Sequence, residues 1–160
     1  MIYDFDSSFD ALIGNEGTEV SNDPEDPGGL SKFGISHRAY PDLDIVNLTI
    51  DGAKAIYLRD YWNKCGCDAL PSPLNFQVFD TAVNSGIIEA AKILQLALGV
   101  VADGHIGPAT RAAIQGKDPI KLAVMFCAAR LEFMTNCSAW QHDGKGWARR
   151  VASNLRGIYS

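Results

Sequence analysis

No run in this chain approaches the roughly 18 apolar residues that a membrane-spanning helix needs. Its first residues, Met1-Ile2-Tyr3-Asp4-Phe5-Asp6, form neither a basic nor an apolar leader region. The expectation is a chain made in the cytoplasm, without stable membrane insertion and without a signal of its own for crossing a membrane. Basic excess is also lacking. Fourteen Lys and Arg stand against 19 Asp and Glu, for a net charge of −5 and a pI near 5.0. That balance excludes sequence-independent nucleic-acid binding, which depends on cations that neutralise phosphates. Lys145, Arg149, Arg150 and Arg156 make only the final segment locally basic, and they are read as a solvated helix face.

Metal-ligand spacing is missing as well. The four cysteines, Cys65, Cys67, Cys127 and Cys137, include no C-x-x-C pair with nearby histidines, so no zinc site is expected and the cysteines read as buried free thiols. His37, His105 and His142 are scattered, with no serine or cysteine in a nucleophile elbow, which argues against a catalytic triad. Asp103-Gly104 lacks the alternating acidic ligands of a calcium loop and reads as a turn. No cofactor or metal is called for. Repeats and low-complexity linkers are absent too. With 47% hydrophobic residues, 160 residues suffice for one domain or two closely packed lobes.

What the chain does contain is helical periodicity. Phe5, Phe9, Leu12 and Ile13 predict an amphipathic helix, capped by Ser7 or Ser8, with Glu16 at or just past its end. From Val20 to Ile35, two Asp-Pro pairs, Gly28-Gly29 and the period-two pair Phe33 and Ile35 predict a hairpin or bulged loop. Thr49 is expected to cap a helix carrying Ile50, Ala53, Ile56, Tyr57 and Tyr61 and closed by Gly66. Further helices are expected from Leu74 to Ser85, around Ala90 to Leu98, from Pro108 to Ile114, from Pro119 behind an Asp118 cap, and from about Gly146 to Tyr159. The fold class is therefore mainly α with a small turn-rich insertion after the first helix.

Glu16 and the acidic loop behind it have the makings of a two-carboxylate glycosidase site. In such a site one carboxylic acid protonates the leaving oxygen and a second carboxylate positions water or attacks the sugar. Glu16, packed against Leu12, Ile13 and Phe33, is the proposed acid, since burial disfavours its charged form. Asp23, Glu25 and Asp26 compete for the second role, with Ser31 as a hydroxyl partner for water. Asp26 is the first choice, Asp23 reads as a turn stabiliser, and Glu19 is expected to face solvent. Acidic loops more often serve solvation or turn geometry than catalysis, and ordinary helix closure and loop punctuation account for the same residues at this level.

The ordered set Glu16-Gly17, Asp23-Pro24-Glu25-Asp26-Pro27-Gly28-Gly29, Ser31 and Phe33-Gly34-Ile35 resembles the signature of glycoside hydrolase family 108, a bacterial and phage muramidase family. Asp60-Tyr61-Trp62, Leu70-Pro71 and Phe79-Asp80-Thr81-Ala82-Val83-Asn84-Ser85-Gly86 resemble its next blocks. Leu94 to Val100, Asp103 to Thr110 and Gly146-Trp147-Ala148-Arg149-Arg150 resemble the predicted peptidoglycan-binding segment that follows. The resemblance implies a lysozyme-like helical fold that cleaves the β-1,4 bond between N-acetylmuramic acid and N-acetylglucosamine, with Glu16 matching the catalytic glutamate. It also implies a muramidase lobe at 1–86 and a helical peptidoglycan-binding lobe at 87–160. Thr18-Glu19 departs from the family's usual Gly-Tyr, and one extra residue precedes Asp23. Alignment on Gly28-Gly29 selects Asp26 as the second carboxylate, whereas counting from Glu16 selects Glu25; Ser31 survives both, replacing the usual threonine.

Among other candidates, Asn84 and Ser85 are read as hydrogen-bonding an acetamido group or closing a helix. Tyr61 and Gln95 are weaker candidates for the saccharide cleft, and Tyr57 and Tyr61 fit core packing at least as well. The reading is a metal-independent peptidoglycan hydrolase of endolysin type, acting in the periplasm on glycan strands and reaching them through a holin pore, a secretion machine or lysis. A lytic transglycosylase and a non-catalytic wall-binding or secretion-accessory protein are the alternatives.

Overall fold

The computed structural model describes residues 3–16, 20–22 and 29–159, except for the side chains of Asn15 and Glu16. Helix α1 spans Phe5–Glu16. Asp4, not Ser7 or Ser8, caps it: Ser7 N–H donates to Asp4 Oδ1 at 2.9 Å while Asp4 N–H donates to Ser7 Oγ at 3.0 Å. Each residue thus satisfies an N–H of the other at the first turn, which the serine-first expectation placed one turn late. Phe9, Leu12 and Ile13 face the core.

Strands β1 (Ser31–Lys32) and β2 (Ile35–Ser36) pair antiparallel, with Ser31 opposite Ser36 and Lys32 opposite Ile35. Phe33 at φ 54° and Gly34 at φ 75° form the two-residue turn, both in the left-handed region that suits a tight hairpin. Phe33 is not a residue that favours this conformation, at a cost of about 1–2 kcal/mol. Its burial and a bond from Tyr57 Oη to its carbonyl at 2.8 Å hold it there.

Helix α2 (Ile50–Tyr57) starts at Thr49, whose hydroxyl accepts from Gly52 N–H, and runs through a π-helical turn, Leu58–Trp62, into α3 (Asn63–Cys65). Gly66 stops it in the left-handed conformation, as its position predicts. Helix α4 (Leu74–Ser85) is the axis of the molecule. Leu74, Val78, Phe79 and Ala82 are fully buried, and so are Gln77, Asp80 and Thr81 on its other sides, as in a helix surrounded by partners. Helix α5 (Ile87–Leu98) packs on it and ends at left-handed Gly99; α6 (Pro108–Ile114) follows. Helix α7 (Pro119–Thr135) begins at Asp118, whose carboxylate accepts from Ile120 and Lys121 N–H, and it packs on α4, α5 and α8. Leu122 and Phe126 are buried, as their spacing predicts, while Ala129 and Phe133 are half-buried at its edge.

Helix α8 covers Trp140–Ile158, six residues longer at its start than the expected Gly146. Glycines Gly144 and Gly146 lie inside it rather than before it. A Cβ at Gly144 would come within 2.7 Å of the Trp140 ring, so the glycine makes room for the indole one turn earlier. A mixed aromatic core of Phe5, Phe9, Tyr57, Trp62 and Phe79, with ring centroids 5.4–6.3 Å apart, joins α1, α2 and α4.

Candidate functional site

Glu16 is the last residue of α1, so a rigid element carries the proposed acid; its side chain, like Glu19, Asp23, Glu25 and Asp26, lies outside the described residues. The ends of that acidic segment are joined. Ser21 and Ser31 exchange two backbone hydrogen bonds of 2.8 Å, and Ser31 is half-exposed beside them while also pairing with Ser36. The hairpin is in turn tied to the helical frame by Tyr57 Oη on Phe33 and by Lys32 Nζ on the Val46 carbonyl at 3.0 Å. These bonds fix the base from which the acidic segment leaves.

The π-helical turn organises the next layer. Asp60 accepts from Arg59 at 2.6–2.9 Å and from Tyr40 Oη at 3.0 Å, with Lys64 Nζ at 3.5 Å. The Arg59 hydrogen bond, followed by that of Tyr40, overcomes desolvation and holds the Asp60 carboxyl well below its usual range. Tyr40, partly buried beside this charge, has its phenol pushed up, chiefly by burial. Tyr61 is half-buried with its ring centroid 5.6 Å from that of Tyr57, and Trp62 is a core residue whose indole N–H donates to Asp68 at 2.7 Å.

The largest departure from the sequence reading is in the final helix. Arg150 is not on a solvated face. Its side chain is 14% exposed and grips Asp80, 70 residues away, with Nε and Nη2 at 2.8–3.2 Å. Arg130 Nη1 on α7 reaches the same carboxylate at 2.6 Å, and Asn154 Nδ2 reaches it at 2.9 Å. Asp80 and Arg130 are wholly buried. Burial alone would raise the Asp80 pKa; the charges of Arg130 and Arg150, with their hydrogen bonds, outweigh it and keep the carboxyl below its ordinary value. Helical periodicity does not reveal this cluster: Asp80 lies in the middle of a helix that is buried on all sides, where its charge requires a buried cation.

Beside this cluster, the end of α4 and one face of α8 enclose a cleft of about 310 Å³ lined by Asn84, Gly146, Trp147, Arg149, Arg150 and Ser153. Asn84 is therefore exposed at a cleft, while Ser85 next to it donates to Asn84 Oδ1 at 3.2 Å. Gln95 is elsewhere and has another task. It is 1% exposed, its Nε2 donates to Asp103 Oδ1, the His105 carbonyl and Thr110 Oγ1 at 2.7–3.1 Å, and its Oε1 accepts from Gly104 N–H at 2.9 Å. That corrects its reading as a saccharide contact: with its amide committed internally, it staples the 99–107 loop to α5.

All four cysteines are free thiols. Burial pushes the Cys127 thiol up to about 12, and Cys67, hydrogen-bonded to Cys65 and buried, is pushed up further. Among the described residues no three His, Cys, Asp or Glu side chains converge as a metal site, and no helix is long and apolar enough to cross a membrane.

Comparison with known proteins joins these observations. Residues 9–86 match the family model Glycosyl hydrolase 108, and residues 89–157 match the model Predicted Peptidoglycan domain. The solved structure described as Brucella abortus SagA is 31% identical, with a TM-score of 0.87 over 97% of this chain and 93% of that one. No protein of curated function matches the chain. The architecture is the lysozyme-like, mainly helical one with a small hairpin after the first helix. The chain belongs to the glycosyl hydrolase 108 family, with the predicted peptidoglycan domain as its second half, and is a glycoside hydrolase acting on peptidoglycan.

Proposed function

We propose that the protein is an N-acetylmuramidase that cleaves the β-1,4 bond between N-acetylmuramic acid and N-acetylglucosamine, with Glu16 as general acid. Either Asp26 or Glu25 is the second carboxylate, and Ser31 helps to hold water. The observation that carries this reading is the end of α1 at Glu16, followed by an acidic segment whose two ends are clamped by the Ser21–Ser31 pair. An acid on a helix end and a second carboxylate on the segment between the paired Ser21 and Ser31 are the two parts that protonated departure and water attack require. Residues 1–86 form the catalytic lobe and 87–160 the wall-binding lobe. Asn84 and Ser85 hydrogen-bond an acetamido group, and Tyr61 lines the saccharide cleft.

In this reading the enzyme acts in the periplasm during cell lysis, as an endolysin, after passing a holin pore, a secretion machine or a lysed membrane. Mass spectrometry of the fragments released from purified peptidoglycan tests the bond assignment. Reducing muramic ends are expected. Reducing glucosamine ends, anhydro-muramic ends or no fragments would each overturn it, the anhydro form in favour of a transglycosylase.

A further inference from the structure

The cleft beside Asn84 has a charge that the glycan backbone does not explain. Two guanidinium groups, Arg149 and Arg150, line it together with an amide, a hydroxyl and an indole, and among the described residues no carboxylate lines it. The chain as a whole carries −5, so a concentration of positive charge here is local and stands against the global balance. Arg150 is oriented by Asp80, which holds Nε and Nη2 and so fixes the plane of the guanidinium at the cleft wall. Arg149, the neighbour on the same helix, is exposed, as is Ser153 one turn on.

The sugars of peptidoglycan are neutral N-acetylated rings, and their amides need hydrogen bonds rather than cations. The polymer's anionic groups in this region are the carboxylates of the stem peptide carried by each muramic acid. We propose that the Asn84–Trp147–Arg149–Arg150–Ser153 cleft is a subsite for a carboxylate of that stem peptide, so that the enzyme reads a peptide-bearing strand rather than bare glycan. At about 310 Å³ the cleft lies at the small end of ligand pockets and fits one carboxylate-bearing residue rather than a whole stem. Charge-assisted bonds from the exposed Arg149 guanidinium suit that group, Trp147 covers the apolar part of the residue, and Asn84 keeps the neighbouring acetamido amide. This inference rests on the peptidoglycan reading and deepens it.

The direct test is a nuclear magnetic resonance titration with the soluble stem tetrapeptide, once with free carboxylates and once with them amidated. The free peptide is expected to move the signals of Asn84, the Trp147 indole and Ser153 saturably. Amidation or Arg149→Gln is expected to weaken binding by about tenfold. Equal binding of the amidated peptide, undiminished binding to Arg149→Gln, or equally strong displacement of the same signals by inorganic phosphate would overturn the proposal. A second arm compares intact peptidoglycan with strands stripped of peptide by an amidase. Arg149→Gln is expected to lose roughly fivefold to tenfold in kcat/KM on the intact polymer and nothing on the stripped one. Equal loss on both would contradict peptide recognition. If the wild-type protein cuts neither substrate, the muramidase reading fails while the peptide titration still decides the cleft.

Discussion

The hairpin after α1 and the α4–α7–α8 junction are held by different means. The hairpin has two residues per strand, a strained Phe33, and a few bonds that tie it to neighbours: Ser21–Ser31, Tyr57 on Phe33, and Lys32 on Val46. The junction is a wholly buried carboxylate gripped by two guanidinium groups and an amide from two other helices. The contrast separates a frame from a working edge. In the proposed reading, the edge that admits the polymer is built from locally weak elements, and the rigidity it needs is supplied from the frame through a few hydrogen bonds.

The comparison breaks most visibly at Asp80. Asp80→Ala leaves Arg130 and Arg150 without their carboxylate, and is expected to cost about 3–5 kcal/mol in urea unfolding. A loss under about 1 kcal/mol would show that the cluster is not a frame element. The same residue sets the acid limit. Its folded pKa is depressed below the unfolded value near 3.8, so its contribution is complete above that value and is lost as pH falls through the lower folded pKa. Wild-type stability should therefore decline progressively below about pH 4. Asp80→Ala should show a shallower decline when both proteins are followed by circular dichroism.

Gln95→Leu should cost about 1–3 kcal/mol, chiefly by leaving the buried Gly104 N–H without its acceptor, an effect read as faster amide exchange confined to the 99–107 loop. Tyr57→Phe removes the tie to the Phe33 carbonyl. It is expected to lower global stability by only about 1 kcal/mol and to accelerate exchange at residues 31–36 well beyond that. Equal acceleration throughout the helices would erase the distinction between frame and edge. The smallest effect is chemical: half-buried Cys137 should react first with a thiol reagent, and Cys65, Cys67 and Cys127 only on unfolding.

Local signals read well from sequence because their causes are local. Thr49 and Asp118 caps, Pro119, and left-handed Gly66 and Gly99 follow from the backbone needs of one or two turns. A hairpin or bulged loop was legible from the Asp-Pro and Gly-Gly punctuation, though Phe33, read as one of a period-two pair, lies in the turn, and the π-helical turn at Leu58–Trp62 was not legible, because no residue type demands it. Arg150 was misread because periodicity assigns faces to a helix, while its partner Asp80 is 70 residues away. The start of α8 lies about one and a half turns before the expected Gly146, and Gly144 inside it is needed for the Trp140 ring. Gln95 was misassigned for the same reason as Arg150: its acceptors lie 8–15 residues on, in the following loop and in α6.

The most direct test of the account is the rate at which Glu16→Gln releases fragments from purified peptidoglycan, measured beside its wall binding and thermal unfolding. The expected result is a loss of about a hundredfold or more in release, with binding and unfolding close to those of the wild-type protein. Release that persists within a fewfold of the wild-type rate, in a folded and wall-bound variant, would contradict the assignment of Glu16 as the acid.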